Sequence, residues 1–249
     1  MSNDTYYGTD LAWVHHDGYS RHVEQTAPGI VQLLRAAGLS AGDRVLDIGC
    51  GSGLLARELL TAGFAVHGVD ASPAMIELAR RHVPGATLQV MNLPTGLPAG
   101  SDAGLPRANA VVSTGHVLNY LDGRDDIGRA LVELARAVKP SGVIAIDLMT
   151  ERYCAARDIT QVHAKVERDW AIVTRFSRPE PFRFDRRITV FRQVGGAWRR
   201  SDEHHRNVSY DVEAALRLLR DNGIYADVRA AFGDEKLPEG LVVLCGIRR

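Results

Sequence analysis

Residues Val45 to Gly53 read Val-Leu-Asp-Ile-Gly-Cys-Gly-Ser-Gly, an apolar strand that delivers one acid and then glycine at every second position. The helical pattern Leu54, Leu55, Leu59, Leu60 follows directly. A strand, a glycine turn and a helix in that order form a loop that a ligand's backbone-facing groups can approach closely, beside free amides at the helix start. Gly51, Gly53 and Ala56 also satisfy the degenerate glycine pattern of dinucleotide sites. Asp47 argues against that ligand, because an acid at the strand tip repels a pyrophosphate and favours a cation.

The rest of the chain supplies a sheet around this turn. Pro28 is read as opening a helix that ends at Gly38, and Phe64–Val69 as a second strand leading to Asp70. Ser72-Pro73 marks the start of the next helix, with Ser72 as cap. Further strands are expected at Thr87–Met91, Ala108–Ser113 and Val143–Leu148, with a helix over Asp125–Val138 and a turn at Lys139-Pro140-Ser141-Gly142. This alternation predicts an α/β fold with a doubly wound, Rossmann-like sheet. From 151 to about 209 no strong helix is expected. Alternating stretches at Trp170–Phe176, Ile188–Val194 and Trp198–His205, with Gly195-Gly196 as a hairpin turn, predict an antiparallel β insertion of three or four strands. A helix from Val212, capped by Ser209 or Asp211, then leads to two last strands that pair as an antiparallel terminal hairpin. One domain is expected over 1–249, with 1–28 as an N-terminal lid segment and 151–209 covering the substrate site.

Composition narrows the class. The chain has 249 residues with 30 basic and 30 acidic side chains, so no long-range field favours nucleic acid or an anionic membrane. Residues 165 to 206 hold ten arginines and one lysine against six acids, which suits either an anionic substrate or solvated strand faces. Cys50, Cys154 and Cys245 are odd in number and far apart, so neither a disulfide framework nor a metal site is expected. The polar start Met1–Tyr7 and the lack of a long apolar run predict a cytoplasmic protein; a monomer or homodimer is expected.

Two further anchors extend the binding site. Asp70, at a strand end, is placed to accept both hydroxyls of a ribose, with Ala71 beside it; the alternative is a helix cap. Met91 and Asn92 follow the third strand, where an amide can meet an adenine edge and a thioether can pack on its ring; the alternative is an ordinary turn.

These residues together resemble the class I S-adenosylmethionine-dependent methyltransferases. Asp47 to Gly53 resembles the family's glycine loop, Asp70 its ribose-binding acid, and Lys139–Gly142 its turn before strand five. The resemblance covers about 28–150. It implies a seven-stranded sheet, S-adenosylmethionine as cofactor, S-adenosylhomocysteine as product, and cofactor contacts from Asp47, Gly49, Gly51, Gly53 and Asp70; Ala71, Met91, Asn92 and Thr114 are expected to add contacts beside them. Asn92 departs from the acid many members carry. The insertion resembles that of glycine N-methyltransferase-like proteins and of amino-sugar N,N-dimethyltransferases.

Methyl transfer is an in-line displacement, so the protein mainly aligns the reactants, and a base is needed only for a protonated nucleophile. His116, in the run Ser113–Tyr120 beyond the fourth strand, is one candidate base, or a residue that satisfies backbone groups. His205 is the other: of the pair His204-His205 only one can face the pocket, and His205 shares its face with Asn207 and Ser209. Tyr6, Tyr7, His15, Asn119 and Tyr120 are expected to contact a small polar substrate. The reading is methylation of a nitrogen or oxygen of a small molecule. The alternatives are a repurposed cofactor binder, a macromolecule methyltransferase and, against Asp47, a nicotinamide oxidoreductase.

Overall fold

The computed structural model describes residues 6–249. Eleven strands and seven α-helices build two sheets among them. In the larger sheet β1 (Arg44–Ile48), β2 (Ala65–Asp70), β3 (Thr87–Val90), β4 (Ala108–Ser113) and β5 (Val138–Met149) run parallel, in the order 3-2-1-4-5. β10 (Ile224–Arg229) and β11 (Leu241–Arg248) complete it. The last strand lies inside, antiparallel to both β5 and β10, which takes the edge.

Strand β1 carries no exposed residue after Arg44, and β5 none from Gly142 onward. A parallel sheet demands this, because helices cover both its faces. On one face α2 (Arg21–Ala36), α3 (Leu54–Thr61) and α4 (Pro73–His82) pack Ile30, Leu34, Leu55, Leu59 and Ala79 against Val45, Val66 and Val112. On the other, α5 (Arg124–Ala137) and α7 (Val212–Asp221) pack Ile127, Leu131, Leu134, Ala215 and Leu219 against Leu46, Val111 and Ile144. Ser72 Oγ accepts the Met75 amide at 3.1 Å ahead of the proline, and Asp211 Oδ1 caps α7 through the Ala214 amide at 2.7 Å.

The second sheet lies between β5 and α7 in the chain. It orders β6 (Val162–Val166), β7 (Trp170–Ser177), β8 (Arg183–Val194) and β9 (Ala197–Val208) as an antiparallel meander. Gly195 and Gly196 turn the β8–β9 hairpin with φ of +60° and +85°. Register divides its faces. Trp170, Ile172, Ile188 and Val190 share the inner face and pack on Leu11 and Val14 of α1 (Thr9–Gly18). Asp10 of α1 pairs with Arg192 and Arg199, and the Trp170 indole donates to Asp17 at 2.7 Å. Further along the same face, β8 and β9 present Arg186, Glu203, His205 and Asn207.

Three local expectations are corrected. Pro28 does not open its helix: α2 starts at Arg21 and holds Pro28 inside. The ring removes one internal hydrogen bond, tolerable because Pro28 and Glu24, whose carbonyl it frees, are both exposed. Residues 151–209 do contain a helix, the short α6 (Glu151–Ala156), which buries Tyr153 and Cys154. Strand five begins at Val138, ahead of the expected Val143, and shifts register against β4 between Ala108 and Ala110, with Ser141 at φ +60°.

Candidate active site

The strand order reverses between β1 and β4, and the loops leaving their carboxyl ends form a crevice there, where open α/β sheets bind ligands. Gly49 at φ +67° starts the β1 turn, and a Cβ on it would stand 2.4 Å from Val117. Gly51, at φ +53°, has no atom nearer than the Met75 sulfur at 3.9 Å to where its Cβ would be, so the space beside it is open to a ligand. Gly53 is different: it is buried, and its constraint comes from Val83 and Ala79 of the packed helix.

Asp47 is 1% exposed, and its Oδ2 has no hydrogen-bond partner among the described residues. Burial, and then the charge of Asp70, push this carboxyl up to about 7. Asp70 is engaged, accepting the Gly51 amide at 2.9 Å and the Ser72 amide at 2.8 Å, yet burial still raises its pKa. Met91 is buried under this end of the sheet and bonds its amide to the Asp70 carbonyl, whereas Ala71 and Asn92 are exposed beside it. A bare buried carboxylate, an open glycine turn and a second acid at the next strand tip suit a ligand with cationic groups and a ribose.

Asp147 escaped the sequence reading. It is buried on β5 and accepts the Gly115 amide at 2.9 Å and the His116 amide at 2.8 Å, fixing the β4 loop. Burial lifts it to about 7 against those two bonds. An acid within the apolar run Val143–Met149 repeats the pattern of Asp47 in β1 and was the available signal.

The N-terminal residues cross three of these loops. His16 Nδ1 meets Ser52 Oγ at 2.8 Å, Ser72 Oγ donates to the Tyr7 carbonyl at 2.7 Å, and His22 Nε2 meets Thr114 Oγ1 at 2.9 Å. Thr114 thereby links α2 to the β4 loop. Tyr7 hydroxyl lies 2.9 Å from that of Tyr120, and its ring stands edge-on to His15 and His205 at 5.1 and 4.9 Å. Tyr6 packs at 4.6 Å from the His205 ring.

His116, in the left-handed region at φ +50°, stacks with Tyr120 and leaves Nδ1 buried without a partner among the described residues. Burial, and then Arg186, hold its pKa well below the ordinary histidine value. The same two causes bring His15 to about 4. Arg186 was not anticipated. Its guanidinium lies 5.1 Å over the Tyr120 ring and bonds Tyr120 hydroxyl and Asn207, and among the described residues no carboxylate pairs with it. Only the arginine-rich composition of 165–206 hinted at it.

Asn119 is corrected. It is 0% exposed, and its amide bonds the Met149 and Val208 carbonyls at 3.1 and 2.6 Å while its oxygen accepts the Met149 amide at 2.8 Å. The side chain ties β5 to the end of β9 and has no group left for a substrate. Asn119→Ala is expected to cost about 1–3 kcal/mol for each backbone group left bare, read as a lowered denaturation midpoint.

Residues 45–142 match the family described as "Methyltransferase domain". The chain carries a methyltransferase domain. It is 26% identical to the putative methyltransferase YqeM of Bacillus subtilis (strain 168), over 75% of each chain. It is 27% identical to a dTDP-3-amino-3,6-dideoxy-alpha-D-glucopyranose N,N-dimethyltransferase of Streptomyces fradiae, covering 84% of this chain and 80% of that one. The sugar N-methyltransferase KedS8 from Streptoalloteichus sp ATCC 53650 superposes with a TM-score of 0.78 at 18% identity, covering 100% of this chain and 98% of that one, a likeness of fold. Curated relatives are spanned over 45% to 84% of their own lengths. No described helix is long and apolar enough to cross a membrane.

As a carboxylate, Asp47 would offer a counter-charge to the cationic groups of S-adenosylmethionine. In the ligand-free protein that group is half protonated near pH 7. Affinity for S-adenosylmethionine is therefore expected to fall as pH drops below about 7, approaching tenfold per unit. Calorimetric titrations across that range check it.

Proposed function

We infer that this enzyme methylates a nitrogen or oxygen of a small polar acceptor. When bound, S-adenosylmethionine supplies an electrophilic methyl group on a cationic sulfur. Asp47 and Asp70 would hold its ammonium and ribose, with the Gly49–Gly53 turn against its backbone and Met91 and Asn92 at its base. The observation that carries the acceptor class is the enclosure beyond that crevice. Tyr6, Tyr7, His116, Tyr120, Tyr153, Arg186 and His205 gather there within one network of ring contacts and hydrogen bonds. Such a set orients a compact polar molecule and excludes water. The N-terminal segment acts as lid and the β8–β9 hairpin as wall. The amino-sugar dimethyltransferase from Streptomyces fradiae supports this reading, and the zero net charge disfavours a nucleic-acid acceptor.

The test is calorimetry with S-adenosylmethionine, S-adenosylhomocysteine and NADH, then mass spectrometry of a panel of amines, amino sugars and hydroxyl compounds. Binding of the first two alone and a product gaining a methyl group are expected. Saturable NADH binding, or methylation of nucleic acid or protein alone, would overturn the reading.

A further inference from the structure

Glu203 and His205 lie two residues apart on β9 and share its inner face. Glu203 Oε2 stands 2.7 Å from His205 Nε2 and also accepts the Tyr7 amide at 2.8 Å, while Oε1 accepts the Gly8 amide at 2.9 Å. With both oxygens accepting backbone hydrogens, the carboxylate has no proton to offer, so His205 Nε2 carries the hydrogen of their contact. Nδ1 then keeps a lone pair. It is buried in a ring that is 0% exposed and has no partner among the described residues. Tyr6, Tyr7 and Tyr120 surround the imidazole with centroids 4.6, 4.9 and 5.7 Å away.

His116 has a bare Nδ1 too, but among the described residues no carboxylate orients its ring; Asp147 holds its backbone instead. His204, on the opposite face, pairs with Asp185. A base that is buried, facing polar rings and oriented from its far nitrogen by an acid has the geometry of an activating pair.

Resting on the acceptor reading above, we propose that Glu203 is the positioning residue that makes His205 the general base, with Nδ1 taking the acceptor's proton. The acceptor's N–H or O–H bond breaks, its electron pair stays on the heteroatom, and the proton forms a bond to Nδ1. The resulting imidazolium faces Glu203 across the ring, which favours it. Arg186, the cross-strand neighbour of His205, opposes it, as do His204 on β9 and His15 on α1. The Tyr7 and Gly8 amides fix Glu203, so the base is complete only when the N-terminal segment is docked.

Nitrogen NMR of the histidine rings tests this without any ligand. The wild type is expected to show His205 with Nε2 protonated and Nδ1 bare. Glu203→Gln is expected to scramble that tautomer and to lower the pKa of His205, and Glu203→Asp to restore both in part. S-adenosylhomocysteine affinity should stay within about threefold of wild type. On any acceptor found in the panel, kcat should fall at least about tenfold in Glu203→Gln and about 100-fold in His205→Gln. A wild-type Nδ1–H tautomer overturns the proposal, and needs no variant to fold. So does a Glu203→Gln enzyme with unchanged tautomer, pKa and kcat; intact S-adenosylhomocysteine binding then leaves the methyltransferase reading standing. A wild type that turns over no amine or hydroxyl acceptor overturns that reading and this assignment together.

Discussion

Asp47→Asn is expected to abolish measurable S-adenosylmethionine binding and, in the same protein, to raise the melting temperature of the ligand-free form. The two effects share one cause. Folding takes the carboxyl from 3.8 to about 7, chiefly by burial and secondarily through Asp70. A folded-state pKa above the unfolded one means the folded form binds more protons between those values. Stability from this group is therefore lost as pH rises from about 4 to 7 and stays lost above it. At neutral pH and above, the asparagine removes a buried charge worth on the order of a few kcal/mol. Binding is affected in the opposite sense, because the ammonium it would pair with is left without a counter-charge, which costs at least 100-fold by the usual magnitude of a broken buried pair. Thermal scans at pH 5 and 8 with parallel calorimetry separate the two. A variant that binds normally would show that Asp47 is no ligand contact, and one destabilised equally at both pH values would show that its buried charge costs no stability.

Asp147 carries the same kind of displacement, and for the same reason. Both acids sit on strands that the parallel sheet buries on both faces, so neither can reach water. Their difference is in what answers them. Asp147 has two amides of the β4 loop, and Asp47 Oδ2 has no partner among the described residues. One acid holds the protein's own backbone, and the other keeps an oxygen that a ligand would answer.

How legible all this was depends on the range of the interaction. The glycine turn, Asp70 and the strand alternation are local, with residue types dictated by the adjacent backbone, and they stand out in a single sequence. The β8–β9 hairpin was readable through Gly195-Gly196 and strict alternation, which also told His205 from His204. Asn119 was misjudged because its partners, Met149 and Val208, lie 30 and 89 residues away. A polar residue after a strand looks the same whether it faces a substrate or ties strands together. Glu203 was visible beside the histidines, but its value comes from amides 195 and 196 residues distant. Pro28 misled because the rule for proline at helix starts also admits an exposed proline in a helix held by tertiary packing.

Deleting residues 1–8 is expected to reduce methyl transfer at least about 100-fold while the fold persists. Helix α1 begins at Thr9 and keeps its own attachments: Leu11 and Val14 under Trp170, and Asp10 between Arg192 and Arg199. Circular dichroism and the denaturation midpoint should therefore stay close to wild type. What goes includes Tyr7 and Gly8, which join Ser72 after β2 to Glu203 on β9. Ser72 loses the Tyr7 carbonyl, Glu203 loses two amide donors, and Tyr120 loses its hydroxyl partner. Ser72 is bonded in turn to Asp70, so S-adenosylhomocysteine affinity should weaken by about tenfold, the smaller share. The larger share falls on turnover, because water enters the enclosure and the carboxylate that orients His205 is no longer held by the two amides. The single variant Tyr7→Phe keeps every backbone bond and removes only the hydroxyl contact, so it should lose much less. Equal losses in the two variants would place the whole effect on the phenol and none on the backbone clamp.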